Sequence, residues 1–189
     1  MPTVRNVLWR RLDAPAFEHC LAHFDEDGLR ADGLVVGSDD DGTPYRLHYT
    51  VITNRGGITT HVMAADLLHP DRTLILGSDG HGHWRDKSSA VLHDLDGCLD
   101  VDISLTPFTN TLPIRRLALA TGARHSIECV YIDAAALQLS RSAQTYACTT
   151  RGELTATYVF SSGQFSAELS VDVDGLVIAY EGLFTRASP

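Results

Sequence analysis

Apolar and polar residues alternate with a period of two through most of this chain, and a pattern of that kind buries its apolar side as sheet. The clearest run sets Tyr45, Leu47, Tyr49 and Val51 against Arg46, His48 and Thr50, one dry face and one wet. Strand-like runs also cover 4–12, 17–24 and 29–37, then 58–67, with small and β-branched residues on both faces, and the short 72–76; after the middle of the chain 124–133, 137–149, 153–160, 165–173 and 176–180 all alternate. In the first of them Val7 and Trp9 oppose Val4, Leu8 and Leu12. Six Asp-Gly pairs, at 27–28, 32–33, 41–42, 79–80, 96–97 and 174–175, supply turn chemistry, and most fall between runs. The last of them predicts a hairpin over 171–177.

One stretch breaks the pattern. From Leu99 to Leu105 the period is still two, with Leu99, Val101, Ile103 and Leu105 opposite Asp100, Asp102 and Ser104. Thr106-Pro107 ends that strand, because proline cannot donate to a ladder and pushes the residue before it to extended geometry. A helix over about 111–121 follows: Asn110 or Thr111 caps it, Pro113 is tolerated in its first turn, and Gly122 suits the left-handed position past its end. A helix that short is ordered only by tertiary packing. Residues 134–139 suit either one helical turn or extended chain.

The expected fold is therefore mainly β, one domain over 1–189, with a long antiparallel sheet rolled around one short central helix. Such a sheet has to hide its apolar face against itself or against something enclosed, and the helix is what there is to enclose. A rolled sheet can also leave a cavity at its mouth.

Charge narrows the partners. Asp and Glu number 24 against 15 Lys and Arg, a net charge of -9, which argues against nucleic acid and against anionic membrane surfaces. No stretch has membrane-spanning length and the N-terminus lacks the apolar core of a secretory signal, so the expected location is the cytoplasm. Cys20, Cys98, Cys129 and Cys148 are widely spaced within strand-like runs and read as buried thiols.

Candidate chemistry centres on the break. Arg115 and Arg116 sit about 100° apart on the helix, so an enclosed helix cannot leave both in water. Asp100 and Asp102 are their nearest expected partners, forming either a network that fixes helix to sheet or a headgroup site. Trp84, Tyr49, Tyr158, Tyr180, Phe108 and Phe184 are candidates for a pocket lining or for plain core, and Phe108, in the tight strand-to-helix connection, is placed to face a cavity mouth. Asp100 and Asp102, ~6.6 Å apart along a strand, also span the separation used by inverting glycosidases, although neighbours on one strand point the same way rather than across a cleft. No Gly-x-Ser-x-Gly elbow is present. His81 and His83 lack the further ligands of a metal site, and the acidic runs Asp39-Asp40-Asp41-Gly42 and Asp172-Val173-Asp174-Gly175 lack the downstream glutamate of a calcium loop. No catalytic residue, metal or cofactor is assigned.

Residues 97 to 117, Gly-Cys-Leu-Asp-Val-Asp-Ile-Ser-Leu-Thr-Pro-Phe-Thr-Asn-Thr-Leu-Pro-Ile-Arg-Arg-Leu, resemble the signature of the bacterial putative glycolipid-binding family. Asp79-Gly-His-Gly-His-Trp84 resembles that family's Asp-Gly-x-Gly-x-Trp segment, and 174–186 resembles its C-terminus. The resemblance implies a spiral β-roll similar to lipoprotein carriers, and non-catalytic binding or carriage of an amphipathic lipid or glycolipid. On the residue reading above, ligand contacts are expected among Arg115, Arg116, Asp100, Asp102, Phe108 and Trp84. The alternatives are a hydrolase acting on a glycolipid or sugar through the Asp100, Asp102, Arg115 and Arg116 cluster, and a structural or interaction domain without a cavity.

Overall fold

The alternating runs are strands of one sheet. The computed structural model describes residues 2–39 and 41–187; Asp40, in the acidic run noted above, lies outside them. Seven strands precede the break: β1 (Thr3–Arg11), β2 (Ala16–Phe24), β3 (Leu29–Ser38), β4 (Pro44–Thr53), β5 (Thr59–Asp66), β6 (Thr73–Ser78) and β7 (Trp84–Asp86). The break holds β8 (Asp100–Ile103) and the helix α1 (Thr111–Leu117). Six strands follow: β9 (Arg124–Asp133), β10 (Gln138–Arg151), β11 (Thr155–Ser162), β12 (Phe165–Asp172), β13 (Val177–Tyr180) and β14 (Phe184–Arg186). Only β7 and β14, three residues each, escape the sequence pattern, because three residues are too few to show a period.

The strands lie in the order β7-β6-β5-β4-β3-β2-β1-β14-β13-β12-β11-β10-β9-β8, two meanders joined where the first strand pairs with the last. Neighbours are antiparallel with one exception. β8 runs parallel to β9, Asp100 opposite Cys129 and Ile103 opposite Ile132. Parallel neighbours need a long crossover, and the twenty residues between β8 and β9 contain α1. That crossover carries the helix inside the sheet.

The two ends of the sheet are sewn together. Gly97 N–H donates to the Gly82 carbonyl at 2.9 Å, Thr59 N–H to Leu99 at 2.9 Å, and the buried Trp84 indole to Cys98 at 2.8 Å. This seam explains the Asp-Gly-x-Gly-x-Trp segment: Asp79 Oδ1 accepts from the His81 and His83 amides, and Gly82, at φ +86°, lets the chain approach Gly97. A Cβ at Gly82 would lie 2.9 Å from Gly97 Cα.

The enclosed plug departs from expectation at both ends. Phe108–Asn110 form a 3-10 turn that runs straight into α1, and Asn110 makes no side-chain cap. The capping oxygen is Thr106 Oγ1, which accepts from Phe108 N–H at 3.0 Å. The helix ends at Leu117 rather than near 121, with Ala118 left-handed at φ 45°, because the chain turns back there to reach β9. Gly122 serves the following turn instead, donating to the Cys148 carbonyl. Residues 134–137 are a turn bonded to Asp133, neither helix nor strand, and Asp32-Gly33 lies inside β3 rather than between strands. The polar side of β8 is not wet either, since Asp100 is fully buried beneath the plug.

Thr111, Leu112, Pro113 and Ile114 of α1 are buried, and one continuous core runs around them from Trp9 to Phe184. All four cysteines are buried and unpaired. Among the described residues no helix is long and apolar enough to cross a membrane.

The seam yields a matched test. Gly82 and Gly122 both have φ near +80°, but a Cβ at Gly122 meets nothing within 4 Å. Gly122→Ala is expected to lose about 1–2 kcal/mol from backbone strain alone. Gly82→Ala is expected to lose about 1–3 kcal/mol more from overpacking. Urea unfolding of the two variants measures the difference, and equal losses would show that the seam tolerates a side chain.

Candidate functional site

Three carboxyl groups enter the interior, each with different company. Asp100, at the start of β8, is held by Arg116 from the last turn of α1. Arg116 Nε lies 3.1 Å from Asp100 Oδ1 and Nη2 lies 2.5 Å from Oδ2, with the aspartate side chain 1% exposed and the arginine 15%. Desolvation pushes the Asp100 carboxyl above its usual range, and the hydrogen bonds and charge of Arg116 pull it back. The expected partnership thus forms for one arginine. Arg115 is corrected: about 100° further round the helix it faces away from β8, its guanidinium 4.4 Å over the Phe24 ring and Nη1 donating to the Asp174 carbonyl at 2.7 Å.

Asp102 therefore pairs with no arginine. It accepts from Gln144 Nε2 at 2.6 Å and from Thr109 Oγ1 at 3.0 Å. Asn110 Nδ2 donates to the Tyr146 hydroxyl at 3.0 Å, which in turn donates to Gln144 Oε1 at 3.3 Å. A relay of neutral groups thus leads to one carboxyl. Burial pushes that carboxyl up, while the Gln144 and Thr109 bonds oppose the shift.

Asp102, Asn110 and Gln144 line a cleft of about 430 Å³, together with Ser140, Ser142 and Ser162. Phe160, Phe165, Tyr180, Leu183 and Phe184 line it as well. The aromatic rings form a ladder, with Phe160, Phe165, Tyr180 and Phe184 in successive contacts at 6.1–6.3 Å. Tyr146 joins the relay to the ladder, its ring 5.3 Å from that of Phe160. The cleft has the size and mixed lining of a small-molecule site.

Glu18 is the third carboxyl. It is 2% exposed, its Oε1 accepting from the Tyr49 hydroxyl at 2.5 Å and from Thr106 Oγ1 at 2.7 Å, while Oε2 has no partner. Burial pushes it up to about 8 against the pull of the two hydroxyls, so it is protonated at neutral pH. Tyr49 reaches it across Gly33, where a Cβ would lie 2.1 Å from Tyr49 Cζ. Thr106 lines the cleft and caps the plug, so Glu18 braces both from behind.

Of the residues expected at a site, only Asp102 lines this cleft, with Tyr180 and Phe184 from the aromatic candidates. Asp100 and Arg116 lock the plug, and Arg115 borders a separate groove near Asp174 together with Tyr158. Phe108 is fully buried, stacked 6.0 Å from Tyr49 rather than facing a mouth, and Trp84 belongs to the seam. Asp100 and Asp102 do not flank a shared space, since Asp100 is no part of the cleft lining. Among the described residues no group of His, Cys, Asp and Glu is placed to hold a metal ion, and His83 and His93 both lean on Asp96. Glu18, Gln144 and Tyr146 escaped the sequence reading. Their signal was parity: Glu18 shares the inward face of Cys20, Ala22 and Phe24, and Gln144 that of Tyr146 and Cys148.

Comparison with known proteins agrees with this architecture. A family model described as "Putative glycolipid-binding" matches residues 6–186. The chain is similar to the crystal structure of a DUF1089 family protein from Pseudomonas aeruginosa, at 35% identity and a TM-score of 0.77, over 89% of this chain and 91% of that one. No curated protein matches it.

Two outcomes are expected from the carboxyls. Arg116→Ala or Asp100→Ala removes half of a buried pair and costs about 3–5 kcal/mol, with the double substitution costing less than the sum. Urea melts test this, and additive losses would show that the groups are independent. Glu18, whose pKa rises from 4.5 to about 8 on folding, contributes stability that is whole below 4.5 and is lost as pH climbs to about 8. That difference is on the order of 5 kcal/mol. Glu18→Gln therefore flattens the fall in stability across this window, as measured by thermal melts at pH 5 and 8. A parallel fall in the variant would assign the effect elsewhere.

Proposed function

Because the chain belongs to the putative glycolipid-binding family, we propose that the cleft between plug and sheet carries an amphipathic ligand, a lipid or glycolipid, without transforming it. The observation that supports this reading is the double nature of the lining, in which a hydrogen-bonding relay ending at Asp102 borders an aromatic ladder. A polar headgroup takes the relay and an apolar tail follows the rings. Phe165, 43% exposed, stands where a longer tail leaves the protein. In this reading the Asp100–Arg116 pair, Phe108 and Trp84 hold the walls in place and do not touch the ligand.

The plug makes the cleft a fixed shape. The segment leading into the plug is tied to the sheet twice, Thr106 through Glu18 and Asp102 through Gln144, so the relay keeps its geometry without a ligand. Less order then has to be gained on binding, which favours affinity.

Native mass spectrometry of gently purified protein is expected to show an added mass that solvent extraction releases as lipid. Ser162→Trp, which fills the cleft beside Phe165, is expected to remove that mass while leaving the urea midpoint close to that of the unsubstituted protein. An unsubstituted protein that carries nothing, and takes up no amphiphile on incubation, would sink the proposal.

A further inference from the structure

A net charge of -9 disfavours an anionic surface for the chain as a whole, but the fold does not spread that charge evenly. Alternate residues of β1–β4 point away from the core, and the strand register sets them in rows across the sheet. One row reads Arg46, Val36, Phe17, Arg10, and the next His48, Leu34, His19, Leu8. Towards the other end of the strands a row reads Ile52, Arg30, His23, Val4. Asp32 is the one acid in these rows; it lies 3.2 Å from His48 Nε2 and accepts from Thr50 Oγ1 at 3.1 Å. Among the described residues Arg10, Arg30 and Arg46 form no ion pair, whereas Asp13, Asp27 and Asp66, close to them in the chain, are held by Arg11, Arg55 and Arg72. Between these cations Phe17 is 48% exposed and Val36 39%. The second meander is different outside. Its rows read Thr145, Ser161, Ser166 and Ala147, Val159, Glu168, with small and hydroxyl side chains, one acid and no cation.

We infer that the outer face of β1–β4 docks the protein on an anionic lipid surface. The inference rests on the carriage reading above, since a lipid cargo has to be collected and released where lipid is. The guanidinium groups pair with lipid phosphates, and Phe17, Val36 and Leu8 enter the boundary between headgroups and acyl chains. A second copy of the same face would bring arginine against arginine, and the aliphatic positions between the cations give a nucleic acid nothing to bind. The face also runs to the rim of the cleft. Leu12, exposed just past β1, donates its N–H to the Leu183 carbonyl at 2.8 Å, and Leu183 lines the cleft. Docking on these strands therefore brings the rim to the lipid, while the acidic remainder of the surface is turned away.

Flotation with vesicles tests this directly. The unsubstituted protein is expected to bind vesicles of phosphatidylcholine with about one-third phosphatidylglycerol at least about tenfold more tightly than vesicles of phosphatidylcholine alone, and to lose most of that preference between about 0.1 and about 1 M NaCl. Each arginine near an anionic surface is worth about fivefold, so Arg10→Glu with Arg46→Glu is expected to weaken binding at least about tenfold. Lys87→Glu with Arg124→Glu makes the same change in net charge at exposed positions off this face and is expected to weaken it threefold or less. No binding, binding indifferent to phosphatidylglycerol, or equal losses in the two double variants overturns the docking inference. A change of oligomeric state by sedimentation, with vesicle binding unaltered, overturns it in favour of a protein partner. Carriage is judged separately by the mass carried by the native protein, which stands or falls whatever the vesicles show. The comparison of vesicle compositions and salt in the unsubstituted protein decides the docking even if a variant does not fold.

Discussion

The buried pair of Asp100 and Arg116 is the joint on which the interior is assembled. It connects the first residue of β8 to the last turn of α1, so the pair spans sixteen residues of chain. Neither charge is tolerable there alone, and the geometry satisfies both only when β8 lies parallel on β9 with the helix folded back over it. The pair therefore acts less as a source of stability than as a condition on the arrangement. A plug in another register would strand a carboxylate in the core.

The other two inward carboxyls show what happens without a cation. Asp102 stands two residues further along the same strand, hence on the same side, yet it is held by neutral donors and opens onto the cleft. Glu18 lies deeper, meets only hydroxyls, and keeps its proton. Solvation and partner together decide the part each one plays: Asp100 joins, Glu18 braces, and Asp102 faces the cleft. The aromatic ladder beside Asp102 forms the other side of the cleft: the relay begins in the plug, within the crossover, whereas the rings belong to β11–β14.

Much of the scaffold was legible because strand periodicity is a local signal. Twelve of the strands fall on strand-like runs of the sequence, most of them alternating, and the dry face read from Tyr45, Leu47, Tyr49 and Val51 points inward, with Leu47, Tyr49 and Val51 fully enclosed. The helix was legible as an interruption, but its end was not. Gly122 matched the local preference for a left-handed cap, while the need to turn back toward β9 placed that conformation at Ala118. Of the site, the residue types were visible and their pairing was not: Asp102 was expected, with Asp100, to partner Arg115 and Arg116, and it bonds to neither.

What the amino-acid order determined by itself is the material: a chain of strands with turn chemistry between them, one short helix, and an acidic balance that disfavours polyanionic partners. Those properties follow from neighbours along the chain, where periodicity and propensity act. Which carboxyl meets the cation, which strand runs parallel, and where a cleft stays open were decided only in the tertiary structure. Each depends on residues far apart in sequence, such as Asp102 with Gln144 and Glu18 with Thr106, brought together when the sheet rolls over its plug.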